Sequence, residues 1–236
     1  MDEKSMQFAN FNITFGENDA PMLKHFSDII FPAFSVDYIR GKRDSVPRYF
    51  FAGVEIKEVD NEYVMVGNFI KETQYKVVTT VQEGVLASTP ADVPTAPYSR
   101  FIVFLKNHRM VLVRNETASP DTRSFQSTVR DILNQYVRNA NRERSERDKL
   151  PIAIANIVDI PLKDSIADVL KNVSKVSWFK LRFFPLNNDL DPGPLTQHIR
   201  EDMKKVGSKT TNIVFNSPNS KDGISKMIAE SSGLAV

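Results

Sequence analysis

One acidic pattern in the chain has the order that many nucleases use to hold Mg²⁺. Asp44 is followed eleven residues later by Glu55, and Lys57 stands two positions beyond Glu55. In such a site the two carboxylates coordinate the ion, and the lysine positions a water molecule or stabilises the phosphate. Glu55 and Lys57 also share one face of an alternating strand, where a surface ion pair is the simpler interpretation. The Mg²⁺-dependent nuclease is therefore kept as an alternative.

No other spacing in the chain indicates catalysis or a bound cofactor. The three histidines, His25, His108 and His198, have no partners at metal-ligand spacing. The chain has no cysteine, and its nine glycines form no phosphate-cradling motif. The acidic turn from Asn187 to Asp191 lacks the glycine and the final glutamate of an EF-hand loop, so a turn explains it better than a cation site. We predict no catalytic residue, no metal site and no cofactor.

Arginine is concentrated in the middle of the chain. Residues 100–149 contain eleven Lys/Arg against six acids, a net charge of +5, which leaves −3 for the rest of a +2 chain. Helical spacing places Arg123, Arg130 and Arg138 on one face, and the guanidinium fork suits phosphate. A solvated face with internal ion pairs is the alternative for the tail that follows. The candidate nucleic-acid contacts are Lys106, Arg109, Arg114, Arg123, Arg130, Arg138, Arg142 and Arg144.

The pattern of these cations favours contacts to the phosphate backbone over base recognition. Lysine and arginine supply most non-specific affinity for nucleic acid, and that affinity falls steeply with salt. The chain has no RNP motif and no clear recognition helix, and Trp178 and Phe183 are predicted to belong to the core. A homodimer would double the basic surface and match a duplex better than one copy does. Double-stranded DNA is thus the expected partner.

Two apolar runs and an amphipathic helix must position the arginines. Phe101–Leu105 and Met110–Val113 predict a hairpin that is buried on both faces and lies in the middle of a sheet, because neither run alternates with polar residues. A helix is expected from about Asp121. Its apolar positions recur every three or four residues: Phe125, Val129, Ile132, Leu133, Tyr136 and Val137.

The N-terminal part predicts further strands around that unit. Residues 9–15 alternate apolar and polar, which predicts a half-buried strand, and a helix with Met22 and Ile30 on its apolar face is expected to end before Pro32. Residues 49–59 and 63–70 predict a hairpin, with a continuation through 74–80. Residues 84–97 contain three prolines and are predicted to be a loop.

The C-terminal part predicts strands and helices in alternation. Strands are expected at 152–160, 176–186 and 210–215, with helices starting at Pro161, at Pro194 and near Ile224. That order favours a small α/β sandwich of the ferredoxin-like kind. We therefore predict an α+β protein of two domains. Residues 1–150 would form a mostly antiparallel sheet with helices, and residues 151–236 the ferredoxin-like domain, with the boundary at Pro151.

Composition and termini predict a cytoplasmic protein. The lack of cysteine fits a reducing compartment. No apolar run approaches the roughly 18 residues that span a membrane, and the polar N-terminus does not resemble a signal peptide. We expect no membrane insertion.

Five segments, none of them a catalytic signature, together span most of the chain: residues 49–66, 100–113, 158–170, 178–184 and 212–218. In this order they resemble the RexA-like family of phage-exclusion and abortive-infection defence proteins. The resemblance implies a non-enzymatic cytoplasmic sensor that binds DNA without sequence preference as a dimer and acts with a partner protein of a defence system. It supplies no motif for the DNA-contacting residues. The alternative is an assembly or regulatory protein whose basic face meets an acidic protein.

Overall fold

An antiparallel sheet forms the centre of the protein in the computed structural model, which describes residues 4–42, 45–82, 84–160, 163–185 and 193–231. Within these ranges eight strands belong to the sheet. They are β1 (Met6–Phe15), β2 (Ala20–Pro21), β3 (Arg48–Val59), β4 (Glu62–Gln82), β5 (Val85–Thr95), β6 (Tyr98–Phe104), β7 (Arg109–Arg114) and β8 (Ala153–Asp159). The order is β8, β1, β7, β6, β4, β3, with β2 beside the end of β1 and β5 beside the far half of β4.

Five α-helices are present in the same ranges. They are α1 (Phe31–Ser35), α2 (Thr122–Ala140), α3 (Lys163–Lys171), α4 (Gly193–Lys205) and α5 (Lys221–Ser231). Short 3₁₀ turns occupy Met22–His25 and Asn141–Glu143, and a π-helical turn occupies Phe26–Ile30. The predicted helix end before Pro32 is wrong, because α1 continues past it. Pro32 sits in the first turn of α1, where its missing N–H costs no helical hydrogen bond.

The predicted apolar hairpin is β6 and β7, and it lies in the middle of the sheet as expected. Phe101 and Leu112 are buried on the face that packs on α2. Ile102 and Val111, on the other face, are only partly buried. The prediction that both faces of this hairpin are buried is therefore wrong, because α2 covers only one of them.

Strand β1 is more deeply buried than its sequence pattern predicts. The alternating pattern predicts an exposed polar face, but Asn10, Asn12 and Thr14 are buried. β1 is an interior strand with β7 on one edge and β8 on the other. The side-chain amide of Asn12 donates a hydrogen bond to the backbone carbonyl of Pro185 at 2.7 Å, so the C-terminal part of the chain covers this face.

The core is an aromatic cluster gathered around α2. Phe125 is fully buried and its ring centroid lies 5.1 Å from Phe51, 5.3 Å from Phe69 and 5.3 Å from Phe101. The predicted apolar face of α2 is confirmed, since Val129, Ile132, Leu133 and Val137 are buried with it. This burial determines which face of α2 points to solvent.

The start of α2 is capped by Asp121, whose carboxylate accepts a hydrogen bond from the backbone N–H of Ser124 at 2.8 Å. Partial burial acts to raise the pKa of Asp121, but the hydrogen bonds from Ser124 and the charge of Arg114 outweigh it, so the pKa lies below its ordinary value. A depressed pKa in the folded state means that the charged cap stabilises the fold above the unfolded-state pKa. That contribution is lost as the pH falls through the folded-state pKa.

We expect Asp121→Asn to remove this pH dependence while keeping the cap, because asparagine also accepts the bond from Ser124. Wild type should be the more stable of the two at neutral pH, and the difference should become smaller at about pH 3, below the ordinary aspartate pKa. Urea unfolding at these two pH values measures the difference in the free energy of unfolding between wild type and the variant. A wild-type advantage that grows on acidification would contradict the assignment.

Residues predicted to be a loop form strand β5 instead. β4 continues to Gln82, as the pattern of residues 74–80 predicts, and pairs with β5 from Thr73↔Thr95 to Gln82↔Val85. The prolines of β5 favoured a loop. They are tolerated because the other edge of β5 carries no strand among the described residues. We call this two-stranded ribbon, residues 73–82 and 85–95, the arm.

The C-terminal part confirms the α+β class, but not the finer prediction of two domains with a ferredoxin-like sandwich. β8, expected to be its first strand, pairs with β1 in the large sheet. The remaining strands of the described ranges, β9 (Trp178–Phe183) and β10 (Thr211–Asn216), form a two-stranded sheet. Its inner face packs Leu181 and Phe183 on Met203 of α4.

Candidate anion-binding cleft

A cleft of about 490 Å³ lies between α2, β8, β9 and α5. Two of these elements supply four cations to its walls. Arg123 and Arg130 come from α2, and Lys180 and Arg182 come from β9. Among the described residues that line it, Asp159 is the one acid. The cleft is therefore strongly electropositive.

Local geometry explains why these cations converge. Arg123 and Arg130 are separated by two helical turns and lie opposite the face of α2 that the aromatic core buries. Lys180 and Arg182 alternate along β9 with the buried Leu181 and Phe183, so both cations lie on the open face of that strand. Because the apolar residues of α2 and β9 are buried in the core, the two cations of α2 and the two cations of β9 face the cleft.

Arg130 both supports the fold and lines the cleft. Its Nε donates a hydrogen bond to the carbonyl of Ala155 at 2.8 Å, and Gln126 donates to the carbonyl of Ile157 at 2.7 Å. Two side chains of α2 thereby satisfy carbonyl groups along β8. Partial burial lowers the pKa of Arg130, and the like charge of Arg182 lowers it further. The two guanidinium groups therefore repel each other until an anion lies near them.

Other polar groups of the cleft are also open to a ligand. The side chains of Arg123 and Arg182 make no hydrogen bond or ion pair with any residue in the described ranges. Thr122, the first residue of α2, is only 2% exposed, and its hydroxyl has no hydrogen-bond partner within those ranges. Unpaired buried polar groups are costly, and a ligand that accepts hydrogen bonds would satisfy them.

Apolar side chains form the rest of the wall. Ile157, Phe179, Leu181 and Phe184 line the cleft beside the cations. Pockets of about 300–1,000 Å³ with apolar walls and a few convergent polar groups are typical of sites for small ligands. The cleft fits a ligand with an anionic group and an apolar body.

A second cavity of about 280 Å³ continues the basic surface, because Arg130 and Arg182 line it as well as the cleft. Lys209 lies at its other side. The ammonium group of Lys209 is 3.0 Å from a carboxylate oxygen of Asp19, so part of its charge is neutralised. The positive charge of this second cavity therefore comes mainly from Arg130 and Arg182.

The structure places three of the predicted nucleic-acid contacts outside the cleft. Lys106 lies at the turn after β6, where its ammonium group is 2.7 Å from Glu62, and the hydrogen bond and charge of Glu62 raise its pKa. Arg109 donates a hydrogen bond to the side chain of Asn10, and burial lowers its pKa. Arg114 donates to the carbonyl of Thr117 in the loop before α2. Each of these cations already has a partner in the fold.

The remaining three lie along and beyond the far half of α2. Arg138, Arg142 and Arg144 are exposed and are not among the residues that line the cleft. Arg144 donates to the carbonyl of Asp148 at 3.2 Å, inside the turn that ends at Leu150. They extend the basic face of α2 away from the cleft.

The described part of the acidic patterns lies on β3 and does not line the cleft. Glu55 and Lys57 form an exposed ion pair at 3.2 Å on β3, the simpler of the two sequence interpretations. Asp44 and the turn from Asn187 to Asp191 lie outside the described residues. Within the described part of the chain no three acidic or histidine side chains are placed to hold a metal ion.

Lys180 and Arg182 are cleft residues that sequence reasoning missed. Their signal was present, because Trp178, Lys180 and Arg182 alternate with apolar residues and must share one face of the strand. Trp178 was wrongly predicted to be core, since its side chain is 61% exposed, whereas Phe183 is buried as expected.

Comparisons with known proteins returned no match to a family model, to a curated protein or to a solved structure. None of the described helices combines the length and apolarity that are needed to span a bilayer. The functional argument therefore depends on the geometry of the cleft.

Proposed function

We propose that this protein binds nucleic acid without sequence preference, through phosphate contacts at the cleft and along α2, with double-stranded DNA as the expected partner. One observation carries the proposal: Arg123, Arg130, Lys180 and Arg182 converge on one cleft against a single acid among its described lining residues. Arginine and lysine that neutralise phosphates release counterions, which drives binding irrespective of sequence. The proposed role is non-enzymatic.

The dimensions of α2 suit a phosphate backbone. Arg123, Arg130 and Arg138 form a stripe on one face, and Arg138 stands fifteen positions after Arg123, which is about 22 Å along the helix. Phosphates on one strand of a duplex recur every 3.4 Å or so along its axis, and the stripe therefore spans several of them. Contacts of this kind position a protein on DNA without recognising bases.

The direct test is an anisotropy titration of the purified protein against two unrelated duplexes at two salt concentrations. We expect equal affinity for both sequences and a steep loss of affinity at the higher salt, because counterion release drives the association. No binding at low salt, or binding that salt does not change, would contradict the proposal. It would favour an assembly or regulatory protein without a nucleic-acid partner.

The arm supports a second part of the proposal, a homodimer. Tyr75, Val78, Val81, Val85 and Val93 on the arm have exposed side chains. Lys76 stands opposite Asp92, so the ribbon offers no net charge to a polyanion from that pair. A two-stranded ribbon is marginal in water, and the arm of a second copy would supply further strands and cover the valines. Light scattering of wild type and of Val78→Lys/Val81→Lys tests it: the wild type should be a dimer and the variant a monomer.

The proposed setting is cytoplasmic phage defence or exclusion, together with a partner protein. The segments that resemble the RexA-like family support this setting. The geometry of the cleft gives no evidence for or against it. Bacteria that carry the gene with its neighbouring genes should reduce plaque formation, and substitutions in the cleft should abolish that protection. Equal plaque counts with and without the gene would contradict this setting while leaving DNA binding intact.

A further inference from the structure

Trp178 has an unusual position for a large aromatic residue. It is 61% exposed, although tryptophan is highly buried on average. It is also the chain's one tryptophan. The ammonium group of Lys180 lies 5.9 Å from the centroid of its ring, so a cation already sits beside the exposed indole. Nucleic-acid binding through the cleft phosphate contacts does not use this side chain.

The surface around Trp178 is the open face of the β9–β10 sheet. Trp178, Lys180 and Arg182 alternate along β9, and each side chain on this face is exposed. Directly opposite them on β10 stand Asn216, Val214 and Asn212, which are exposed as well. These six residues include two cations, two amides and one indole, but no carboxylate. The other face of the sheet packs on α4 and α5 and is not available.

This open face continues into the cleft. Lys180 and Arg182 belong to both, and the charge of Arg182 acts on Arg130 across the cleft. Among the described residues that line the cleft, Asp159 is the one acid that an extended chain of phosphates would meet on its way from Trp178 along β9 to α2. A cleft of about 490 Å³ is large enough for one nucleotide of an unstacked strand, whereas a duplex would contact only the cations at its rim.

We propose that the open face of the β9–β10 sheet binds a single nucleic-acid strand, with an unstacked base on the indole of Trp178 and the adjoining phosphates on Lys180 and Arg182. Exposed aromatic rings beside cations are the usual means by which proteins hold single strands without sequence preference. The amide groups of Asn212 and Asn216 can donate to or accept from base edges. The inference rests on the proposed nucleic-acid binding, and it adds that this face binds single-stranded nucleic acid.

A partner protein is the weaker interpretation of this face. The centres of protein interfaces are depleted in charged residues, and aromatic and methionine side chains form their anchors. Here a lone indole and one valine lie among two cations and two amides. The charge complements a polyanion.

Intrinsic fluorescence, excited at the red edge of the indole absorption where tyrosine does not absorb, tests the proposal, because Trp178 is the chain's one tryptophan. The full-length protein is titrated with oligothymidylate, with oligouridylate and with a duplex, and affinities are measured in parallel by anisotropy. We expect saturable quenching by the single strands. Trp178→Ala should weaken single-strand binding by about five- to hundredfold, since stacking on an aromatic ring is strong, and should leave duplex affinity unchanged. Trp178→Phe should restore part of the loss, and Tyr63→Ala, which removes an equally exposed ring from β4, should have no effect.

The outcomes separate the two proposals. Salt-dependent duplex binding without quenching by oligonucleotides, and with unchanged single-strand affinity in Trp178→Ala, would overturn this inference while nucleic-acid binding stands. Lack of binding to every probe at low salt would overturn both. Quenching by oligothymidylate alone, or by oligouridylate alone, would support the site and assign the strand as DNA or RNA.

Discussion

Replacing Arg123 and Arg182 together with glutamine should lower duplex affinity equally for unrelated sequences and reduce the slope of log K against log salt by about two, since each lost phosphate contact removes roughly one unit. These two side chains are chosen because neither bonds to a described part of the fold. Arg130 is avoided, since its Nε supports β8. Any loss of affinity can then be assigned to the ligand and not to unfolding.

The matched control removes the same charge elsewhere. Lys57 and Lys106 are exposed lysines in ion pairs with Glu55 and Glu62, away from the cleft. Exposed pairs of this kind contribute little to stability, so Lys57→Gln/Lys106→Gln should fold normally. We expect it to keep nearly the wild-type slope. Equal slopes for the two double variants would show that overall charge, and not the cleft, governs binding.

Phe125→Ala should have the largest effect on stability. The ring of Phe125 is fully buried at the centre of the core and contacts aromatic rings from four strands and one helix: Phe11, Phe34, Phe51, Phe69 and Phe101. Removing it costs the transfer free energy of the ring and leaves a cavity, in total about 3–5 kcal/mol. For a chain of this size the Tm should fall by roughly 6–20 °C.

Urea and thermal unfolding measure the effect, and Phe8→Ala is the matched control. Phe8 is 45% exposed on β1, and the same substitution there should change the free energy of unfolding by less than about 1 kcal/mol. A loss below about 1 kcal/mol for Phe125→Ala as well would contradict its central place in the core. Because α2 also carries Arg123 and Arg130, this variant should weaken nucleic-acid binding only to the extent that it unfolds.

Elements with strong local periodicity were predictable. The spacing of Phe125, Val129 and Val137 identified α2 and the face it buries, and Asp121 marked its start. The β6–β7 hairpin followed from two dense apolar runs. Local pattern also predicted Arg123 and Arg130 as ligand-facing residues, because the burial of one face of a helix leaves the other to solvent.

The wrong predictions concern strands whose burial or pairing depends on residues that are distant in the sequence. On the buried polar face of β1, Asn12 donates a hydrogen bond to the carbonyl of Pro185, which is 173 residues away in the sequence. β8 was predicted to belong to the C-terminal domain, but it pairs with β1 in the large sheet. β5 is a strand despite Pro90 and Pro94, because an edge strand can lose those hydrogen bonds. Non-local pairing of this kind leaves no periodic signature in the chain.

The sequence by itself determined the α+β class, the amphipathic helix and the positive charge of its exposed face, because these depend on the order of residues within single elements. Only the tertiary structure decided that β9 lies across a cleft from α2. That placement joins Lys180 and Arg182 to Arg123 and Arg130, which are 50 or more residues earlier. It also left Trp178 exposed. The physical reason is that β8 and the aromatic core hold α2 in position, while the packing of β9 on α4 turns its cations toward α2.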